Sequence, residues 1–540
     1  MTPLLRSSLL AVLAAAPLAA LATAPLAAQQ PAAAASPAAA TCSLDFNQPK
    51  EFVTLYNITR ARVIQAEPGE ARAKLLKDIM KVLGNPKTSA ANPKGTAAFS
   101  AQMLVLWMMQ PGTGATATRG QMNWGEPKDA TIDLARTVDS LFTVAEKDEP
   151  GCLSETKIWR EAKPWQDRIN GAFKALQATQ MDSAEALAIS SLVLSRTAPY
   201  AERVLAAVAQ SRNKQGEMFK HLEAALALTE GDTLYADDRR AVLFTVGQVG
   251  LEYAETQPEP ARTQILRRSV SAMAALATES PSADAAPYAL SGLGMAATSL
   301  KDSSLFAKCF AIVDAAADKF NDLATLQAAV CANRNGKTAD AVRMFQTTIT
   351  KNPNSRDALY NAAALLYDLR KGQEMLPLVT RLTELDPSNP DNVSLYAYAY
   401  NVLHEQSKPP VVEPAPAAKP GAKPGTAAPA PSAPAAPAAP KSTWIDSVTK
   451  YMKLSDEMPH KVVMSEFTRY TDKALLRGDI ENRSKAAKTY TLEVEFLDVT
   501  GAVLDKQSAT VGPVAPSQLG TFSLTSPKAK VVAWRYAPLK

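Results

Sequence analysis

Three histidines, His221, His404 and His460, are all the 540-residue chain offers for imidazole chemistry. They lie in different segments, at none of the spacings that let side chains share a metal ion. His221 is expected at the surface or partly packed. No serine stands in a Gly-x-Ser-x-Gly elbow, and no Ser/His/Asp order occurs in a nucleophile context. Gly112-Thr113-Gly114, with Gly120 further on, has the glycines of a phosphate loop. It lacks the Gly-Lys-Ser/Thr ending and a preceding strand, so it reads as a plain loop. Asp237 and Asp238 fall at a helix start, where acidic residues favour the helix dipole. Nothing here calls for a catalyst, a metal or a cofactor. The expectation is a non-enzymatic protein that works by binding.

Four cysteines, Cys42, Cys152, Cys309 and Cys331, allow two disulfides in an exported chain. Three pairings are open. Cys42–Cys152 with Cys309–Cys331 is favoured, the second pair joining neighbouring helices; free buried thiols at 309 and 331 are the alternative. No C-x-x-C spacing occurs. The N-terminus has the form of a secretory signal: Arg6, an apolar run from Leu9 to Leu21, then small residues with cleavage after Ala28. Pro17 and Pro25 interrupt the N-terminal segment and argue against a membrane anchor. Ala39-Ala40-Thr41-Cys42 fits a lipoprotein cysteine poorly. The expected location is periplasmic or extracellular, in a bacterium.

The balance of charge, 58 basic against 53 acidic residues, leaves a net +5. No dense Lys/Arg stripe with interleaved aromatics accompanies it, so no nucleic-acid partner is expected. Aromatics are only 6% and alanine is abundant. Small side chains let helices approach closely.

The elements that must present a binding surface show a period. Pro353 and Pro387 lie 34 residues apart, in Thr350-Lys351-Asn352-Pro353-Asn354 and Glu384-Leu385-Asp386-Pro387-Ser388. Between them, Leu359, Ala362, Ala363 and Leu366, then Met375, Leu378, Val379 and Leu382, follow the i, i+3, i+4, i+7 spacing of two amphipathic helices. Arg370-Lys371-Gly372 separates them. Residues 322–353 repeat the plan, with Asn335-Gly336 at the turn and Ala341, Phe345 and Ile349 beyond it.

This arrangement resembles the tetratricopeptide repeat (TPR), a 34-residue helix–turn–helix. The likeness rests on Ala328-Ala329 and Ala362-Ala363 in the first helices, Gly336 at the turn, Ala341 and Phe345 in the second helix, and the closing prolines. Looser copies precede it. Lys214-Gln215-Gly216 with Leu222, Ala225 and Leu226 reads as a repeat with a shortened second helix. Leu293-Gly294 and Ala307 mark another near 287–320, and Asp182 to Pro199 a second helix with its proline. Over 42–150 only helical periodicity supports the pattern, and 110–128 reads as an inserted loop. The resemblance implies a mainly α fold, a right-handed TPR-like α-solenoid over 42–405, in which stacked pairs share one core. Asp391 to Leu403 is its closing helix.

Residues 406–441, dominated by Pro, Ala and Lys, form a Pro/Ala-rich linker, extended and semi-rigid. From 442 to 540 the period changes to two. Tyr490, Leu492, Val494 and Phe496 alternate with polar residues, as do the surroundings of Phe522, Leu524, Val532, Trp534 and Tyr536. With strands near 461–469 and 474–482, six or seven strands predict a small antiparallel β-sandwich. Gly478-x-Ile480-x-Asn482, Phe496-Leu497-Asp498, Gly501, Pro516 and Phe522 resemble the immunoglobulin-like F-x-L-Y-D domains of bacterial envelope proteins, although the literal motif is not intact.

The TPR resemblance implies a concave face of first helices that holds extended peptides. The positions carried over are Asn333, Arg334, Tyr360, Asn361, Tyr367, Tyr398 and Asn401. Tyr396 and Tyr400, four apart, are expected in the core stripe instead. The leading reading is an exported adaptor whose array binds a protein partner and whose linker places the sandwich for a second contact. A self-assembling envelope component is the alternative, and an enzyme with a non-standard site a third.

Overall fold

The computed structural model describes residues 50–147, 150–408 and 444–539. The signal segment, Cys42 and most of the Pro/Ala-rich stretch lie outside them. The chain divides into two compact units, with the boundary at residues 272/273.

The first unit holds α1 (Lys50–Gln65), α2 (Glu70–Leu83), α3 (Pro86–Ala91) and α4 (Pro93–Met108), then β1 (Thr116–Thr118), α5 (Arg119–Met122) and β2 (Thr131–Asp133). There follow α6 (Leu134–Glu146), α7 (Leu153–Arg160), α8 (Lys163–Gln177), α9 (Met181–Leu194), α10 (Tyr200–Ser211), α11 (Gln215–Leu228) and α12 (Ala236–Glu255); α13 (Ala261–Glu279) spans the boundary. The sequence α4 Phe99-Ser-Ala-Gln-Met-Leu-Val-Leu106 is buried all round, as its lack of a polar face requires. The expected loop at 110–128 instead contains a turn of helix clasped by an antiparallel ribbon, Ala117 opposite Ile132. Thr118 and Gln121 close a reciprocal capping box there.

Helices α8 to α11 form two pairs. Thr179 and Asn213, 34 positions apart, make the turn within each pair in the left-handed conformation, at φ 57°. Helix α11 has 14 residues, the same as α9. The shortened second helix expected after Gly216 is therefore wrong: Asn213 makes the turn, and Gly216 already lies inside α11. Asp237 and Asp238 do open a helix, in the first turn of α12.

The second unit continues the plan with α14 (Ala286–Leu300), α15 (Ser304–Asp314), α16 (Asp322–Arg334), α17 (Thr338–Lys351), α18 (Arg356–Asp368), α19 (Gly372–Leu385) and α20 (Pro390–Gln406). Each packs on the next, and first helices also meet, α14 with α16 and α18 with α20. This is the helix-pair stacking expected of a TPR-like array. The turns within each helix pair carry Lys301, Gly336 and Arg370 in the left-handed region. Only the middle one is the residue that favours it. Asn389 caps α20 through Asp391 N and Pro390 takes its first position. Cys309 of α15 and Cys331 of α16 are disulfide-bonded and buried, as favoured from the sequence. Cys152 is fully buried; the predicted pair with Cys42 falls outside the described residues.

After residue 443 comes a helix the sequence reading missed, α21 (Trp444–Asp456). The sandwich follows: β3 (His460–Arg469), β4 (Ala474–Asn482), β5 (Lys488–Leu497), β6 (Val503–Val514), β7 (Leu519–Ser526) and β8 (Ala533–Tyr536). They form two antiparallel sheets, ordered β3-β4-β7 and β6-β5-β8. Leu476 and Ile480 of one and Leu492, Val494 and Phe496 of the other fill the core. Gly478 is required by close approach: a Cβ there would lie 2.4 Å from Val463 O and 2.7 Å from the Phe522 ring. Buried Asn482 donates to Ala486 O and Val514 O, tying the loop after β4 and the end of β6 to the strand end.

Candidate binding surface

Helices α18 and α20 stand side by side and present Tyr360 and Tyr367 from one, Tyr398 and Asn401 from the other, all partly exposed. Tyr367 and Tyr398 pack with ring centroids 5.4 Å apart at 43°. The Arg356 guanidinium lies over Tyr360 at 5.6 Å, and that of Arg370 over Tyr367 at 5.9 Å. Burial, reinforced by the Asp391 charge, raises the Tyr360 hydroxyl above its ordinary range, so it stays a hydrogen-bond donor. Asn361 spends its amide on its own helix, donating to Asp357 O at 2.7 Å. Asn333 and Arg334 are exposed at the end of α16. The tyrosines are thus brought together, and no contact joins Asn333 or Arg334 to them among the described residues.

Tyr396 and Tyr400 do not belong to the core stripe. They point to the other side of α20 and stack on α21: Tyr396 on Tyr451 at 4.6 Å, Tyr400 on Tyr451 at 5.7 Å and on Trp444 at 5.6 Å. Ser455 Oγ at the far end of α21 donates to Pro390 O and meets Ser394 Oγ at 2.8 Å. Positions rise along α20 as they fall along α21, so the two helices form an antiparallel pair. The Pro/Ala-rich stretch therefore joins two helices that pack on each other. It does not set the spacing between array and sandwich, as the sequence reading supposed.

Nor is the sandwich a separate contact head. It docks along the row of turns between repeats. Asp322, Arg356 and Pro390 open successive first helices, and Asn352 and Asp386 cap the ends of successive second helices, all at 34-residue spacing. Arg469 forks onto Asp322 at 3.2 and 2.9 Å. Asn352 donates to Val532 O, and Lys461 pairs with Asp391 at 2.8 Å. Ser388 O accepts from Val462 N, and its Oγ from Leu539 N. At the centre, fully buried Asp386 accepts from Arg356 Nε at 3.1 Å and from the Tyr536 hydroxyl. Burial opposes the Arg356 charge, but Asp386 and Asp357 outweigh it and hold the guanidinium protonated. Burial and the Asp386 charge push the Tyr536 hydroxyl well above its usual range.

Between α19 and the outer face of β6-β5-β8 an open cleft of about 790 Å³ remains. Its charges are largely paired, Arg381 with Glu384, and Glu495 with both Lys506 and Arg535. It is a polar seam without a concentration of one charge. Of the histidines, His221 is half-buried, its Nδ1 2.6 Å from Glu202 Oε2. No group of three or more potential metal ligands occurs among the described residues.

No family model matches the chain, and no curated protein does. Solved structures similar to it include Pseudomonas aeruginosa pilF, 14% identical over 45% of this chain and 85% of that one, at a TM-score of 0.20. YrrB, described as a TPR protein with an unusual peptide-binding site, is 16% identical over 49% of this chain and 100% of that one, at 0.20. The TPR domain of P58(IPK) is 11% identical over 67% and 96%, at 0.21. Likenesses at this level carry no argument about function. The mainly helical, TPR-like fold stands on this chain's own 34-residue helix pairs.

Proposed function

We propose that this protein is an exported, non-enzymatic scaffold that holds an extended segment of a protein partner on the first-helix face of α18 and α20. One observation carries the reading: Tyr360, Tyr367 and Tyr398 are gathered, partly exposed and already packed, on adjacent helices. Tyrosines offer large contact area with a polar tip, and rings fixed beforehand lose little freedom on binding. The Asn401 amide can hydrogen-bond an extended backbone. The docked sandwich, taken as an immunoglobulin-like domain of the F-x-L-Y-D kind, stiffens the platform from its turn side. The Cys309–Cys331 bridge suits an oxidising compartment, in keeping with the signal-like N-terminus.

The test is affinity capture from the native envelope fraction, using the full chain and a variant with Tyr360, Tyr367 and Tyr398 changed to Ala. A protein held by the first and lost by the second supports the reading. Equal retention by both moves the site off this face.

One observation favours self-assembly as a second reading. Ile445 and Met452, seven positions apart on α21, are 45% and 37% exposed on the flank next to the stripe that packs on α20. If that face joins copies, the chain sediments as concentration-dependent oligomers, and Ile445→Lys with Met452→Lys returns it to monomer.

A further inference from the structure

In each helix pair of the second unit the two helices run antiparallel, so the turns within pairs line the edge opposite the one the sandwich covers. Three successive turns on that edge carry exposed cations: Lys301 after α14, Arg334 and Lys337 on either side of Gly336, and Arg370 after α18. None of these pairs with a carboxylate among the described residues. The acids nearby are engaged elsewhere. Lys371 holds Glu374 at 3.0 Å, Asp302 accepts from Ser304, and Asp340 from Arg343. Glu405 feels the Arg370 charge but bonds Lys408, at 2.6 Å. Exposed Asp368 is the acid of these turns that has no partner among the described residues.

Two of the cations stand where the backbone favours glycine. Lys301 and Arg370 take the left-handed conformation at φ 53° and 57°, the position that Gly336 fills in the pair between. A residue with a Cβ is strained there and glycine is not. The turn alone would be better made by glycine; what the two side chains add is a charge held out into solvent. The Arg370 guanidinium lies over Tyr367, which packs on Tyr398, so the basic edge joins the tyrosine face at that ring. Stacked helices lie about 10 Å apart, so three turns span about 20 Å, the reach of about six extended residues.

We propose that this edge takes an acidic run of the partner, an extended segment of Asp and Glu residues that crosses the turns of three successive pairs. The segment's course onward over the tyrosines rests on the reading above. The cations stand one or two to a turn with Asp368 among them, which suits spaced carboxylates; a nucleic-acid groove carries a denser stripe.

The experiment is fluorescence anisotropy with the full chain and a fluorescein-labelled octaglutamate at low salt, with octalysine and an oligothymidylate of the same length as comparisons. Octaglutamate is expected to bind saturably and octalysine not at all. The binding should vanish in about 0.5 M salt, where the screening length is a few ångströms. Lys301→Gly with Arg370→Gly should weaken it roughly tenfold, and Arg334→Gln with Lys337→Gln by a similar factor, each pair removing two exposed charges. The glycine pair relieves two left-handed side chains, so its thermal midpoint should be no lower than that of the wild type, and the lost binding is then not lost fold. No saturable binding of octaglutamate, equal binding of octalysine, or an affinity unchanged in both double variants overturns the proposal. So does tighter binding of the oligothymidylate, which would make the edge a nucleic-acid contact. Such a failure leaves the tyrosine face standing if its triple Ala variant still releases a captured partner. Octaglutamate bound as before by that triple variant, with capture undisturbed, keeps the basic edge and removes the tyrosines.

Discussion

The hydroxyl of Tyr536 donates to the carboxylate of Asp386, 150 positions earlier in the chain, and accepts from the backbone N–H of Ser388. This one oxygen bonds both a repeat's capping residue and the turn that follows it. Removing it leaves the Ser388 N–H without its partner in a buried site. Tyr536→Phe should cost about 2 kcal/mol, and Asp386→Ala, which strands the Arg356 charge, roughly 3–5 kcal/mol. Urea unfolding followed both by the sandwich's tryptophan and by helical signal should show the two signals shifting together. If only the tryptophan transition moves, sandwich and last repeats are not one cooperative unit.

The antiparallel pair of α20 and α21 makes a second expectation. Tyr400 meets Trp444, and only six residues separate Tyr400 from the end of α20, about 9 Å of helix. A loop of about eight Gly/Ser residues in place of 409–443 should bridge the pair. It should keep the fold and add roughly 1 kcal/mol through the smaller loop-closure cost. Were the stretch a spacer that holds the sandwich at a distance, the same replacement would break the docking, and small-angle scattering would show the change in dimensions.

The Cys309–Cys331 bridge closes a loop with a sequence separation of 22. Its removal by Cys309→Ala with Cys331→Ala should lower stability by roughly 3 kcal/mol. Because both sulfurs are buried, reductant alone should act slowly on the folded chain, and the loss should emerge only as unfolding exposes them. Equal denaturation midpoints for the wild type and the double variant would argue against the bridge.

Thr179 makes its turn at φ 57°, a conformation a β-branched residue takes only under strain. Thr179→Gly should stabilise the first unit by about 0.5–1 kcal/mol, the relief exceeding the extra freedom of glycine when unfolded. Asn213→Gly should gain less, since asparagine tolerates the left-handed region. Thermal midpoints of the two variants measured side by side check the order.

His460 is buried against the Tyr490 ring, and burial, with the Lys488 charge, lowers its pKa below the ordinary 6.5. The unfolded chain then binds the proton more tightly than the folded one. The contribution of neutral His460 is complete above about pH 6.5 and is lost as pH falls towards the folded value. Unfolding free energies at pH 7.5 and pH 5.5 should differ less in His460→Gln than in the wild type.

Much of the helical plan was readable because it repeats. Pro353 and Pro387 marked the period, and Ala362-Ala363 and Phe345 marked the faces. The turns were harder, since Thr179, Asn213, Lys301 and Arg370 take the left-handed conformation without being glycine. Helix α21 escaped notice because it is a short helix of 13 residues between a stretch rich in proline and the first strand, with Trp444 and Tyr451 only partly covered by α20. The docking of the sandwich could not be read at all. Asp322, Asn352 and Asp386 look like ordinary residues of helix ends, and only the folded chain shows that their free valences meet Arg469, Val532 and Tyr536. The tyrosine set was found by carrying over repeat positions.

The packing of α21 on α20 also changes what a cut in the chain would mean. Cleavage anywhere between 409 and 443 severs no described element, and the piece from 444 onward keeps its stacked rings, its fork on Asp322 and its place beside Asp386. The nicked protein would travel through a sizing column as one particle and part only under denaturant. In covalent terms the C-terminal piece is an appendage; in physical terms it is a subunit that happens to share a thread with the rest.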